Sequence, residues 1–246
     1  DGRSLMESLR RAARTKPMVI LKGGASEGGA RAAASHTGAL AADHRVFEGV
    51  CAALGVTQVS TAEEAFDAAA TFATQPLPPG PRVAVLTTAG GWDLMAAIDG
   101  LLPSRWSRNN PVDCAGGETR DTIPQVLELL VGHDDVDAVI YLGIGIQSNQ
   151  ARLMREGGFH PDHGLERIVE YHERQDRRFA SEAARLGTLH DKPVLVATEL
   201  AVADESSPAV EAVRESGRLC YPGGDRAARA LGHLLRYARF QGVASR

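Results

Sequence analysis

Short runs that read as strands recur along this chain, and each is too short to be a helix. They fall at residues 18–21, 56–59, 82–86, 136–142, 193–197 and 219–221. Runs such as VAVL and VLVA are rich in β-branched residues and do not alternate with polar ones, which predicts strands buried on both faces. Between them lie stretches with helical spacing. Strands alternating with helices predict parallel sheets covered by helices on both sides, an α/β fold.

The helical stretches can be placed by their stop signals. Residues 1–14 present Leu5 and Leu9 on one face, and Lys16-Pro17 ends the helix. Residues 39–54 form a second helix that stops at Gly55. Ser60 or Thr61 caps a third, with Glu63 and Glu64 in its first turn, and it runs to about residue 73. Helices are also predicted over 119–130, 165–186 and 206–216, and after Pro222-Gly223-Gly224. The segment 76–81 holds Pro76, Pro78, Pro79 and Pro81, which no helix or central strand tolerates. It is read as a linker, dividing the chain into 1–75 and 82–246.

Composition narrows the function. The chain has 246 residues, 43% apolar and 24% charged, with a net charge of −4. That balance provides no basic field for nucleic acid or an anionic membrane surface. No apolar run approaches a membrane span and no secretory signal opens the chain, so a cytoplasmic protein is expected. Cys51, Cys114 and Cys220 are scattered and odd in number, which suggests neither a disulfide framework nor a zinc site.

The stretch 18–42 carries the chemistry. The strand MVIL ends in Lys22-Gly23-Gly24, and a loop rich in small residues, ASEGGARAAAS, leads to His36. Ser35, Thr37 and Gly38 flank that histidine, and a helix is predicted to begin just after it. Free amides and a helix dipole at such a place favour an anion such as a phosphoryl group. The strand at 82–86 runs directly into Thr87-Thr88-Ala89-Gly90-Gly91, a strand–turn–helix arrangement that also suits phosphate.

The string GARAAASHTGALA resembles the phosphohistidine loop of the NDP-forming acyl-CoA synthetases, the succinyl-CoA synthetase superfamily. KPMVILKGG before it, TTAGG at 87–91 and NPVD at 110–113 resemble further strings of that family. The resemblance implies flavodoxin-like, three-layer αβα sheets, the first one incomplete. It implies that 1–75 is the C-terminal half of the phosphohistidine-bearing domain and that 82–246 is a second flavodoxin-like ligase-CoA domain. It implies a ligase reaction, acyl-CoA + NDP + phosphate to acid + CoA + NTP, with His36 as the catalytic phosphoryl carrier. Ser35, Thr37, Gly38, Thr87, Thr88, Ala89, Gly90 and Gly91 would hold phosphate.

The same resemblance implies partners. CoA and ATP or ADP with Mg are substrates reached through a CoA-binding domain and an ATP-grasp domain or subunit, and an oligomer is expected. No cofactor or metal is expected on this region itself. Family members also carry about twenty more residues after the Gly-Gly turn, the length of a helix and strand. A stretch is therefore expected to be missing between Trp92 and Asp93. The alternative reading is a regulatory, non-catalytic synthetase-like region of a protein acetyltransferase; a plain flavodoxin-like response module is a third, disfavoured by the lack of an acid cluster at strand ends.

Other motifs read as structural. Asn110-Pro111-Val112-Asp113 is a turn with no assigned chemistry. His160 and His163 flank Pro161-Asp162 without enough nearby ligands for zinc. His44, His172 and His233 fall on helices, and the charged run 166–178 reads as a solvated helix face. Gly143 to Asn149 follows a strand at the end where α/β sheets bind ligands.

Overall fold

The computed structural model describes residues 2–24, 28, 29, 31, 35, 43–86, 110–112 and 121–244. It contains two parallel sheets. The first pairs β1 (Val19–Leu21) with β2 (Thr57–Val59), in the register Val19 to Thr57 through Leu21 to Val59. The second has the order β3 (Val83–Leu86), β4 (Ala138–Leu142), β5 (Val194–Ala197), β6 (Cys220–Tyr221). The two early strands thus lie side by side and parallel, as expected. The α/β reading with parallel sheets is correct.

Helices α1 (Gly2–Ala13) and α2 (His44–Ala53) serve the first sheet. Leu9, Ala13, Cys51, Leu54 and Val56 form its core, with Ile20 and Phe47 partly buried beside them. Helix α3 (Ala62–Thr74) starts with the predicted reciprocal cap. Thr61 Oγ1 accepts from Glu64 N–H at 3.1 Å, and the Glu64 carboxylate accepts from Ser60 N–H at 2.9 Å. Such caps stabilise a helix by about 1 kcal/mol. β1 is only half covered, and Leu21 is 47% exposed. A parallel strand is normally buried on both faces, and among the described residues nothing covers Leu21 fully.

The second sheet is a three-layer sandwich. On one face α4 (Thr122–Gly132), α6 (Leu165–Leu189) and α8 (Pro208–Glu215) bury Leu127, Leu130, Phe179, Leu186 and Val213 against Leu86, Val139 and Val196. On the other, α9 (Gly224–Phe240) lays Leu231 and Leu234 on Ile140, Leu195 and Tyr221. Helices α5 (Ile146–Glu156) and α7 (Leu200–Ala203) complete the set among the described residues, and the sequence spacing predicts neither.

NPVD has a structural use beyond a turn. Asn110 Oδ1 accepts from Val85 N–H at 2.9 Å and its Nδ2 donates to Val83 O at 2.8 Å. Val112 N–H then donates to Val85 O and pairs in parallel with Leu86. The segment therefore extends the sheet beyond β3, so that β3 is not its edge. Asp113 lies outside the described residues.

Helix α3 joins the two sheets, although the sequence assigned it to the first half alone. Asp67 forms a two-point ion pair with Arg226 of α9, at 2.6 and 2.7 Å. Thr71 Oγ1 shares a hydrogen bond with the buried Tyr221 hydroxyl at 2.6 Å. Gln75 pairs through its side-chain amide with both backbone groups of Val194, at 3.1 and 3.2 Å. His233 is 3% exposed. Arg236 donates to its Nδ1 at 2.6 Å, and arginine has only donors, so Nε2 holds the proton and donates to Glu64 at 2.9 Å. Burial pushes the His233 imidazole below its usual pKa, outweighing the Glu64 contact.

Candidate active site

Most of the residues singled out from the sequence lie outside the described ones. These are His36, Thr37, Gly38, Thr87, Thr88, Ala89, Gly90 and Gly91, together with the Trp92–Asp93 junction. Ser35 is described; it is exposed and has helical backbone, as do Gly28, Gly29 and Arg31. At these four positions the backbone is thus helical where a loop is expected.

What the structure does build is a cleft of about 420 Å³ at the C-terminal ends of β4, β5 and β6. Residues 142–146, 197–200 and 223–224 line it, with Asn149. The N-termini of α5, α7 and α9 all begin there. β3 ends at Leu86, opposite Tyr141 of β4, on the same edge of the sheet. Parallel α/β sheets bind ligands at this edge because strand ends and helix starts leave backbone groups free there.

The turn between β4 and α5 is shaped by close approach. Gly145 has φ of +93°, and a Cβ on it would sit 2.4 Å from Leu200 Cδ1. Gly145 occupies the N-cap position of α5, so no side chain there can receive the helix amides. Asp176, two elements away on α6, does so instead. Its carboxylate accepts from Ser148 N–H at 2.6 Å. Beside it, His172 Nδ1 and Gln147 Oε1 form a second tie between α6 and α5. Burial raises the Asp176 pKa, against the pull of the Ser148 and Gly145 N–H groups.

Asp176 corrects the reading of 166–178 as a solvated face, because it is only 1% exposed. A signal was present. Asp176 falls on the stripe Val169, Phe179, Ala180, Ala183 and Leu186, all buried on α6. An acid on an apolar helical stripe requires a partner inside the fold.

The other residues of interest are placed as follows. His44 opens α2 and His172 lies on α6, in agreement with a structural reading. His160 and His163 lie in the α5–α6 turn, with the His163 ring against Phe159. Among the described residues no group of three or more His, Cys, Asp or Glu side chains is gathered as for a metal. No helix among them is long and apolar enough to cross a membrane. The buried Cys220 thiol is pushed up to about 11 by desolvation, which leaves it almost entirely protonated.

Residues 1–72 match the model of the succinyl-CoA ligase-like flavodoxin domain. The alpha subunit of the ADP-forming acetate–CoA ligase I of Pyrococcus furiosus is 27% identical over 98% of this chain and 51% of its own length. The chain is similar to ADP-forming acyl-CoA ligases over nearly its whole length. The resemblance read from the sequence is borne out. The alpha subunit of acetate–CoA ligase II of the same organism is 34% identical over 57% of this chain and 35% of its own. The chain thus spans about half or less of the length of these relatives. The alignment with the first runs over 260 positions, more than this chain has residues, so that relative holds segments without a counterpart here. Among solved structures, the dinucleotide forming acetyl-coenzyme A synthetase 1 of Ca. Korarchaeum cryptofilum, in complex with phosphate and ADP, superposes with a TM-score of 0.71. It covers 98% of this chain and 51% of the other at 24% identity, a likeness of fold.

Proposed function

We propose that this chain is part of an ADP-forming acyl-CoA synthetase. The observation that carries the proposal is the likeness over 98% of the chain to the alpha subunit of an ADP-forming acetate–CoA ligase. In this reading inorganic phosphate displaces CoA from acyl-CoA to give an acyl phosphate. His36 attacks its phosphorus and releases the acid, and the phosphohistidine then gives its phosphoryl group to ADP. The chemistry is nucleophilic catalysis by a neutral imidazole. The rest of the work is positioning and charge stabilisation, as in other phosphoryl transfers.

Thr87 to Gly91 follow β3 in sequence, and β3 itself ends at the edge of the sheet where the cleft lies. Their backbone amides, with those near Ser35, Thr37 and Gly38, are proposed to receive the phosphoryl group. Residues 1–75 are proposed as half of the phosphohistidine-bearing domain, 76–81 as a linker and 82–246 as the second domain. A CoA-binding domain and an ATP-grasp domain or subunit would supply CoA, ATP or ADP and Mg, within a cytoplasmic oligomer. This chain alone is not expected to turn over.

The test is reconstitution of the full protein with its nucleotide-binding partner. CoA release from a panel of short acyl-CoAs should require both ADP and phosphate and should be matched by ATP formed. Release that ignores ADP and phosphate, or none with any acyl-CoA, would overturn the proposal.

A further inference from the structure

Two observations at the start of α5, behind the cleft wall, belong together. The N-cap of α5 is a glycine that can hold no side chain, since its Cβ would meet Leu200 Cδ1 at 2.4 Å and its φ is +93°. A carboxylate nonetheless stands at that helix end. Asp176 Oδ2 lies 2.6 Å from the N–H of Ser148, the third residue of α5, which is the amide an aspartate at the N-cap would take. Asp176 comes from α6, twenty-eight residues on, and is 1% exposed. Among the described residues no lysine or arginine contacts it; its electrostatic neighbours are the Ser148 and Gly145 amides, the Ser148 hydroxyl and His172.

A buried carboxylate without a cation is costly unless dipoles meet its charge. Here the dipole of α5 and its first amides meet it. The converse also holds, because those amides are what a bound phosphate or carboxylate would otherwise use. We propose that Asp176 is a positioning residue for the cleft: it is the internal anion of α5, which fixes the Gly143–Ile146 wall and keeps free anions off that helix end. An anion entering the cleft is thereby left to its other walls. This holds whatever reaction the cleft serves.

The test uses the full chain with Asp176→Ala and Asp176→Asn, read by hydrogen exchange and thermal melting. Exchange at residues 146–149 should quicken by about tenfold or more in Asp176→Ala, and by less in Asp176→Asn, whose amide oxygen can still accept from Ser148 N–H, with β4 and β5 little changed in both. In Asp176→Ala the vacated space should accept formate or phosphate. Protection at 146–149 and the melting temperature should then rise in formate or phosphate relative to chloride at equal ionic strength. Wild type and Asp176→Asn should show no such difference. Should Asp176→Ala fail to fold, Asp176→Asn decides by where its exchange quickens. Unchanged protection at 146–149, uniform loosening of the whole domain, or equal recovery in chloride would overturn the assignment.

Discussion

Gly55 joins a local backbone requirement to the packing of the two sheets. It ends α2 with φ of +70°, and a Cβ there would lie 2.3 Å from Cγ and Cδ1 of Phe240. The Phe240 ring closes α9 and stacks on Tyr237 at 6.3 Å between centroids. Gly217 has nearly the same φ, +76°, but nothing lies within 4 Å of its Cβ direction. Gly217→Ala should therefore cost only the left-handed strain, about 1–2 kcal/mol. Gly55→Ala should cost that plus an overpacking penalty of about 1–3 kcal/mol. Urea unfolding of the two variants would measure the difference. Phe240→Leu in the Gly55→Ala background should return about 1 kcal/mol or more, as a coupling in the double-mutant cycle. Equal losses at the two glycines, or no coupling with Phe240, would refute the claim that the Phe240 end of α9 packs tightly on the turn at Gly55.

The other ties across the sheets make further predictions. Asp67→Ala should destabilise the protein by about 2–3 kcal/mol, below the range for a fully buried pair because Arg226 keeps some solvent; a loss under about 0.5 kcal/mol in urea unfolding would show that the pair contributes nothing. His233 is neutral between Glu64, Arg236 and Arg229, and its folded pKa is depressed. Its contribution is thus present above the unfolded pKa of about 6.5 and is lost as pH falls below that value, since the unfolded chain then binds the extra proton. Stability measured from pH 7.5 to 5.5 should decline more steeply in wild type than in His233→Gln, and parallel profiles would contradict the neutral assignment.

The sequence was informative where signals are local. The strand at 83–86 announced itself by four apolar residues, and Thr61 with Glu64 announced the start of α3 by spacing alone. Helix α5 did not, because only Ser148 and Ala151 of its residues are buried and its cap comes from Asp176 far along the chain. Asn110 read as a turn residue, since nothing nearby reveals that its side chain bonds to β3. The ties of α3 to α9 join residues more than 150 positions apart, beyond any periodicity. The site itself divides the same way. His36 and the Gly90-Gly91 string stand out as motifs but lie outside the described residues, whereas the cleft wall at Gly145 and the buried acid behind it emerge only from the packing of α5 on α6 and Leu200.

The central claim is that His36 carries the phosphoryl group. A phosphohistidine bears close to two negative charges, which need amides and dipoles to meet them. The complete enzyme, incubated with an acyl-CoA and labelled phosphate or with labelled ATP, should gain an acid-labile, base-stable label that maps to His36. His36→Ala should show no label and no turnover while keeping the wild-type melting temperature. Normal labelling and turnover in His36→Ala would contradict the account.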